Sequence, residues 1–188
     1  NEDGRAASTR PQLLDEHSQW TAHEAERIAQ RLGLNERSML LLTTAARLHD
    51  AGKQARRWQS AFNAPDGGIY AKTRGPVNPF LLDGYRHEFG SLPHAEADDG
   101  FSALPEEDRD LVLHLVASHH GHARPTIPVS GCDDAPPSVL QARAREVALR
   151  FDRVQRRWGP WGLAWWEALL RSADQRASRK NDLLGGAS

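Results

Sequence analysis

Several histidines and two aspartates stand at the ends or on the inward faces of segments that are otherwise apolar and helix-forming. Burying an ionisable side chain is costly unless that side chain is paired or bound to a metal ion. Neutral imidazole nitrogens and carboxylate oxygens are typical ligands of divalent cations, and helical bundles hold such ligands on facing helices. The pattern therefore predicts a metal centre whose ligands are His17, His49, Asp50, His87, His119, His120 and Asp174.

These ligands are more than one ion normally binds, so we expect two ions that share the Asp50 carboxylate. One ion would take His17, His49, Asp50 and Asp174, and the other Asp50, His87, His119 and His120. Two ions about 3.5–4 Å apart are suited to in-line displacement at phosphorus, and a water between them would lose a proton near neutral pH and act as the nucleophile. The mixed ligands favour Mn, Fe, Co or Ni over Mg, which prefers oxygen ligands alone.

Taken singly, each of these residues has a simpler interpretation. A histidine on an apolar stripe, such as His17, is usually a hydrogen-bonded core residue. Adjacent His-Asp and His-His pairs arise by chance, and Asp174 could pair with Arg171 or Arg176. The joint pattern, with its order along the chain, favours the metal centre over these separate explanations.

The elements that must position these ligands are predicted to be helices, because no stretch alternates apolar and polar residues as a strand would. The first helix should run from about Gln12 to Leu32, with His17 and Leu32 itself on its apolar stripe. Asn35 is a favourable N-cap for a second helix that ends around Ala51–Gly52. Further helices are predicted at 53–62, from His87, after Pro105, at 139–158 and after Pro160, with long irregular loops at 63–86 and 121–138.

The bulk composition limits the possible classes of protein. With 188 residues, the chain is expected to be one all-α domain over 1–188, with flexible ends at 1–11 and 181–188. A net charge of -1 does not by itself indicate nucleic-acid binding, which would need local basic patches or bound metal. The single cysteine, Cys132, excludes an internal disulfide and a thiolate cluster, and it fits a reducing compartment. Because no apolar run approaches the roughly 18 residues of a membrane span, we expect a cytoplasmic protein without a membrane partner.

Four motifs, LHDAGK, RHE, HHG and RSADQRAS, resemble in their order those of the HD phosphohydrolase superfamily. Within it they are most similar to the HD nuclease domain of CRISPR-associated type I interference helicase–nucleases, from LLDEHSQW to ADQRAS. The resemblance implies an HD-domain helical bundle of roughly six to eight helices with two long irregular loops. It also implies metal-dependent cleavage of single-stranded DNA in antiviral defence. Its partners would be a helicase domain, fused or separate, and a CRISPR surveillance complex.

Basic residues after the central motif suggest a path for the DNA strand. A positive groove with stacking aromatic residues, here Trp58 and Tyr70, is what sequence-independent binding of a single strand requires. Taken singly, Trp58 is slightly better explained as a core residue. Lys53 has three interpretations, as a phosphate donor, as a residue that orients Asp50 or as a solvated lysine at a helix end. The predicted substrate-binding residues are Lys53, Arg56, Arg57, Lys72, Arg74 and Arg124, of which Lys53, with Asp50, is also a predicted catalytic residue.

The remaining tryptophans and one histidine are not assigned to the site. Trp158, Trp161, Trp165 and Trp166 are expected to pack in the core or to contact a partner domain. His114 follows Asp110 by four residues, which suits an ion pair on the surface of a helix.

Two other functions fit parts of the pattern. A phosphohydrolase acting on a small nucleotide would need a closed pocket, whereas long loops with basic residues favour an open groove. A non-catalytic module could bind metal structurally and dock a helicase or an effector complex. Structural metal sites are saturated with ligands, while seven ligands shared by two ions leave positions open, which favours catalysis.

Overall fold

Helices dominate the fold, as the all-α prediction requires. The computed structural model describes residues 8–75, 77–123, 125–128 and 135–186. Its α-helices are α1 (Leu14–Arg31), α2 (Glu36–Leu48), α3 (Arg56–Ala61), α4 (Pro79–Leu82), α5 (His87–Glu96), α6 (Asp99–Ser102), α7 (Glu106–Ser118) and α8 (Pro137–Gly186). A 3-10 helix (Ala51–Gln54) follows α2, and two short strands, β1 (Gln12–Leu13) and β2 (Tyr70–Lys72), pair antiparallel. The helical bundle is confirmed, and the β-ribbon is a feature that the sequence did not reveal.

The first helix begins two residues later than predicted. Gln12 and Leu13 belong to β1, where Gln12 pairs with Lys72 of β2, so α1 starts only at Leu14. The inward stripe of α1 also ends differently from the predicted stripe, because Leu32 is 52% exposed and Ala29 is buried instead. A strand of two residues is too short to show alternation, which explains why the sequence pattern missed it.

The second helix ends earlier than predicted, and this matters for the site. Its N-cap is Asn35, as expected, since the Asn35 side chain accepts a hydrogen bond from the backbone N–H of Ser38. α2 ends at Leu48, and His49 forms its C-cap. The chain then tightens into the 3-10 helix, so that His49 and Asp50 occupy a bend between two helical segments.

The last long helix is broken where the sequence predicts a boundary. Gly159 has a φ of 69°, a left-handed conformation that interrupts α8 and separates the arms 137–158 and 160–186. Pro160 follows, and its ring excludes a continuous helix because it lacks the N–H that would bond to the preceding turn. None of the described helices combines the length and apolar character needed to cross a membrane.

The core lies where α1, α2, α5, α7 and α8 meet. It contains fully buried side chains from several of these helices, including Leu42, Phe89, Leu115 and Leu170. A smaller apolar cluster, with Trp58, Phe62, Val77, Leu82 and Tyr85, joins α3 and α4 beside it.

The segment predicted as a long irregular loop over 63–86 contains both β2 and α4. The Gln59 side chain ties it down, donating to the backbone carbonyls of Lys53 and Tyr70 and accepting from the Tyr70 N–H. Much of the second predicted loop, including Cys132, lies outside the described residues.

The described parts of the two segments for which flexibility was predicted, 1–11 and 181–188, pack against each other. The Asn181 side chain is fully buried and donates to Ser8 Oγ and to the carbonyl of Arg10. α8 continues helical to Gly186. Burying the amide of Asn181 requires partners, and the N-terminal segment supplies them.

Candidate metal centre

The structure brings all seven predicted ligands together, mostly by placing them at the ends of helices. His49 is the C-cap of α2, and His119 is the C-cap of α7, with His120 next in the chain. His87 is the first residue of α5. Asp50 directly precedes the 3-10 helix, and the last two residues, His17 and Asp174, lie within α1 and α8 on faces directed toward these ends.

The ligands form two groups that differ in composition. Site 1 comprises His17, His49 and Asp174, and site 2 comprises Asp50, His87, His119 and His120. Within each group one donor atom per residue lies within 4.8 Å of all the others. This division reproduces the predicted one, except that Asp50 is grouped with site 2 alone.

Asp50 nevertheless contacts both sites through different oxygens. Its Oδ1 lies 3.1 Å from His87 Nε2 in site 2. Its Oδ2 lies 3.4 Å from His17 Nε2 and 3.5 Å from His49 Nε2 in site 1. A carboxylate placed in this way has the geometry of a bridge between two ions.

The donor atoms of site 2 fit a bound cation. His87 Nε2 is 3.3 Å from His119 Nε2 and 3.0 Å from His120 Nε2. His119 Nδ1 lies 2.7 Å from the carbonyl of Val116, to which it donates, so its Nε2 carries a lone pair. Neutral imidazole nitrogens that converge in this way cannot all be satisfied by hydrogen bonds to one another, whereas a cation among them satisfies each.

Site 1 fits a cation for a related reason. The Nε2 atoms of His17 and His49 are buried and have no hydrogen-bond partner in the described structure. They lie 3.2 Å and 3.8 Å from Asp174 Oδ1. His49 Nδ1 donates to the carbonyl of Ala46 at 2.7 Å, which leaves its Nε2 as an acceptor. Unpartnered buried nitrogens beside carboxylates are the arrangement that metal ligands require.

Burial keeps most of the imidazoles neutral. It lowers the pKa of His17 to about 4, although Asp174 and Asp50 act in the opposite direction. It also lowers the pKa of His87, together with the charge of Lys53, and that of His120, together with the neighbouring imidazoles. These rings therefore keep their lone pairs free for a metal near neutral pH.

His49 and the carboxylates behave differently. Burial acts to lower the pKa of His49, but Asp50 and Asp174 together outweigh it and raise that pKa. Burial acts to raise the pKa of both aspartates, yet the pKa of each lies well below its usual range. The charges of His49 and Lys53 lower the pKa of Asp50, and the nearby imidazoles of His17 and His49 lower that of Asp174. Both carboxylates are thus ionised.

Lys53 belongs to the centre and is not a solvated residue. It is only 5% exposed, and its Nζ lies 2.7 Å from Asp50 Oδ2. Of the three interpretations made from the sequence, the contact matches the one in which Lys53 orients Asp50.

A set of supporting residues escaped the sequence analysis. Ser91 Oγ lies 2.8 Å from each of three backbone atoms, the N–H of Gly52 and the carbonyls of His49 and His87. A Cβ at Gly52 would lie 2.1 Å from the His87 carbonyl, so only glycine allows the 3-10 helix to approach α5 this closely. Tyr85 adds a hydrogen bond from its hydroxyl to the Gly52 carbonyl. Gly52 was visible in the sequence but was interpreted as a helix end; Ser91 belonged to no motif.

The predicted strand-binding residues are scattered over different environments. Lys72 is 5% exposed within β2, which corrects its placement in a flexible loop. Arg74 is exposed and donates to the carbonyl of Thr9. Arg57 lies over the Tyr85 ring, 5.4 Å from its centroid, and Arg56 is exposed. Arg124 lies outside the described residues.

Trp58 and Tyr70 do not form an exposed stacking platform. Trp58 is buried, with its ring 4.5 Å from that of His87, so the prediction of a base-stacking role is wrong and its interpretation as a core residue is right. Tyr70 is half-buried in β2. The aromatic ring of Trp58 instead packs beside site 2.

Arg171 is a basic residue near the centre that the sequence analysis considered only as a partner of Asp174. It is exposed on α8, three positions before Asp174, and its Nη2 lies 3.5 Å from the His119 carbonyl. Its guanidinium is thus held close to site 2. Asp174 faces His17 and His49, so the ion pair with Arg171 or Arg176 is not the arrangement observed.

Two expectations away from the centre are also corrected or refined. His114 is buried and its Nε2 lies 2.7 Å from Glu167 Oε1, so it does not form a surface pair with Asp110. Residues 111–118 of α7 are all buried, and His114 lies among them, so the predicted surface ion pair does not form. Trp166 is buried in the core, whereas Trp161 is 87% exposed.

Comparison with known proteins gives one match. A family model described as the HD domain matches residues 14–154. This range includes every predicted ligand except Asp174, which α8 supplies from beyond its end. Neither a search of curated proteins nor a search of solved structures gave a match to the chain.

Proposed function

This chain belongs to the HD-domain family, which indicates a metal-dependent hydrolase, and we propose that it hydrolyses phosphodiester bonds in single-stranded DNA at a two-metal centre. The observation that carries the proposal is the position of Asp50, whose two oxygens face different groups of imidazoles. A structural metal site has no need of a second ion, whereas in-line displacement at phosphorus uses two.

The residues of the chain divide the work of such a centre among them. Neutral imidazoles would hold the ions, and the ionised Asp50 and Asp174 would offset their charge. Lys53 holds Asp50 Oδ2 in place through a contact of 2.7 Å. Divalent ions bound there supply Lewis acidity toward a phosphate and lower the pKa of coordinated water. We propose Mn, Ni, Co or Fe, since nitrogen donors predominate in both sites.

Access for a polymer is supported by exposure on one side of the centre. The side chain of Asp174 is 23% exposed, and His120 is also partly accessible. The exposed guanidiniums of Arg56 and Arg171 could contact phosphates of a strand. The order of the four motifs further supports a role beside a helicase in type I CRISPR interference, which would supply the single strand.

A small nucleotide is the second candidate substrate, and one observation favours it. Lys72 is buried and Arg74 is tied to the Thr9 carbonyl, so fewer cations point to an extended strand than the sequence suggests. Recognition would then depend on residues at the centre itself.

The test is a comparison of substrates with the same metal-loaded protein. The protein is stripped with a chelator, its metal content is measured, and Mn, Ni or Mg is restored. We expect nicking of circular single-stranded DNA with Mn or Ni and none with chelator. Hydrolysis of nucleotides without cleavage of DNA would replace the proposal with the second candidate. Two bound ions without any hydrolysis would instead indicate a non-catalytic docking module.

A further inference from the structure

The histidines of the centre differ in what holds their second ring nitrogen. His49 Nδ1 donates to the carbonyl of Ala46 and His119 Nδ1 to the carbonyl of Val116, each three residues earlier in the chain. Both histidines are helix C-caps, where the last carbonyls of a helix have no intrahelical partner. The backbone carbonyls at the helix ends therefore set the tautomers of both histidines, independently of the neighbouring side chains.

His17 has no such carbonyl available. It lies in the first turn of α1, where the carbonyls accept hydrogen bonds within the helix and only N–H groups remain unpaired. A side chain must therefore supply the acceptor for its Nδ1. The described structure places Gln12 Oε1 there, 3.2 Å from His17 Nδ1, and both residues are completely buried.

Gln12 is held by the β-ribbon and not by α1. Its backbone pairs with Lys72 of β2, and the next turn is fixed by a hydrogen bond from the Leu14 N–H to the carbonyl of Ile69. The ribbon thus presents the carboxamide to His17 from outside the helix. This gives a physical reason for a two-residue strand in a protein made of helices.

We propose that Gln12 is a positioning residue that accepts the Nδ1 proton of His17 and thereby directs the Nε2 lone pair into site 1. Outer-shell acceptors of this kind orient a ligating imidazole, and their loss typically costs about 10–100-fold in metal affinity. The inference rests on the proposed metal centre, because it assigns His17 as a ligand. It concerns site 1 alone, since the tautomer of His119 in site 2 is set by backbone.

The first measurement needs neither metal nor activity. Two-bond ¹H–¹⁵N spectra of the metal-free protein identify the tautomer of each neutral histidine, with His17→Gln used to assign the ring. We expect His17 to carry its proton on Nδ1 in the native chain and to become a mixture of tautomers in Gln12→Met. A native His17 with its proton on Nε2 would overturn the proposal, whether or not the variant folds.

The second measurement is the metal affinity of each site by titration calorimetry with Mn²⁺ or Ni²⁺. In a His87→Ala background, which disables site 2, Gln12→Met should weaken the remaining binding by about 10–100-fold. Gln12→Glu keeps an acceptor and should restore it. In a His17→Ala background, Gln12→Met should have no effect, because the residue through which it acts is missing.

Thr21→Val is the matched control. It removes a buried hydrogen bond of 2.9 Å to the backbone carbonyl of His17 without touching the ring. Equal losses of affinity in Thr21→Val and Gln12→Met would show a general structural role for Gln12 and reject the proposal. A native protein that binds no metal would reject the proposed function, whereas the tautomer spectra would still test Gln12.

Discussion

Site 1 and site 2 share a carboxylate but are built in different ways. Site 2 gathers Asp50, His87, His119 and His120 from the adjoining ends of α2, α5 and α7. Site 1 adds to His49 one residue from the first turn of α1 and one from α8, which are far apart in the sequence. Site 2 therefore depends on local helix ends, whereas site 1 forms only when the first and last long helices pack together.

The two sites also differ in charge. In site 1 the carboxylates of Asp50 and Asp174 outweigh burial and raise the pKa of His49, so this ring takes up a proton at a higher pH than an ordinary histidine does. In site 2 the pKa values of His87 and His120 are lowered, so these rings bind no proton near neutral pH. Metal binding at site 1 therefore competes with a proton on His49 at a higher pH than metal binding at site 2 competes with protons on His87 or His120.

The largest effect is expected from removing the shared residue. Asp50→Ala takes a ligand from both sites and should reduce metal-dependent hydrolysis by more than about 100-fold, the upper end of the loss caused by outer-shell changes. The measurement is the initial rate of nicking on circular single-stranded DNA.

Two controls accompany this variant. Removing Asp50 leaves the buried Lys53 without its partner, so Asp50→Ala combined with Lys53→Met separates lost stability from lost chemistry. Asp152→Ala removes an exposed aspartate of α8 and should leave the rate unchanged. Full activity in a folded Asp50→Ala protein would contradict the two-metal account.

The next effect tests whether the sites are separate. Asp174→Ala should lower the metal stoichiometry by one ion through loss of site 1, and His87→Ala should do the same through loss of site 2. Elemental analysis after dialysis gives the stoichiometry, and circular dichroism checks the fold. If both ions were lost from Asp174→Ala, the two groups would behave as a single site.

A smaller effect concerns pH. As the pH falls through the raised pKa of His49, its ring takes up a proton, and metal affinity at site 1 should fall by up to about tenfold per pH unit. Affinity at site 2 should change less over the same range, because the pKa values of His87 and His120 are lowered.

Calorimetry of the two single-site proteins measures this difference. His87→Ala retains site 1 and His17→Ala retains site 2, and each is titrated from about pH 7.5 to about pH 6 in buffers of different ionisation enthalpy. Proton release should accompany binding in the first protein and be smaller in the second. Equal proton release from the two proteins would show that the two sites do not differ in protonation.

The smallest effect is expected at Arg171, whose guanidinium contacts the backbone carbonyl of His119 and not its imidazole ring. Arg171→Ala should raise KM for single-stranded DNA about threefold to tenfold with little change in kcat, because one exposed phosphate contact is lost. Arg156→Ala, an exposed arginine in the other arm of α8, is the control. A fall in kcat with unchanged KM would place Arg171 in the chemistry of the centre.

Much of the candidate site was predictable because its residues break local expectations. A histidine on an apolar stripe, as at His17, or an aspartate between alanines, as at Asp174, is conspicuous in sequence. The structure brings both to site 1, 3.2 Å apart. Lys53 was also identified, but the sequence left three interpretations open, and only the contact with Asp50 distinguishes them.

The residues that were misjudged or missed are those whose environment is set by segments far away in the sequence. Lys72 was placed in an irregular loop as a strand-binding residue, yet β2 carries it inward against β1. Trp58 is buried by residues of α4 and α5, and His114 is buried against α8. These helices lie well away from the two residues in the sequence. Ser91 and Gln12 act on the backbone or ring of other residues and belong to no pattern of their own.

The sequence by itself determined the long helices, the N-cap Asn35, the break before Pro160 and the metal-ligating side chains that face inward. These follow from periodicity and local chemistry, which act over a few neighbouring residues. Only the tertiary structure decided that Asp50 presents one oxygen to each site and that Lys53 pairs with Asp50. It also decided that Gln12 of the β-ribbon contacts His17 of α1. Those contacts depend on how α1, α5, α7 and α8 pack around the end of α2, and no local pattern specifies distances of a few ångströms between them.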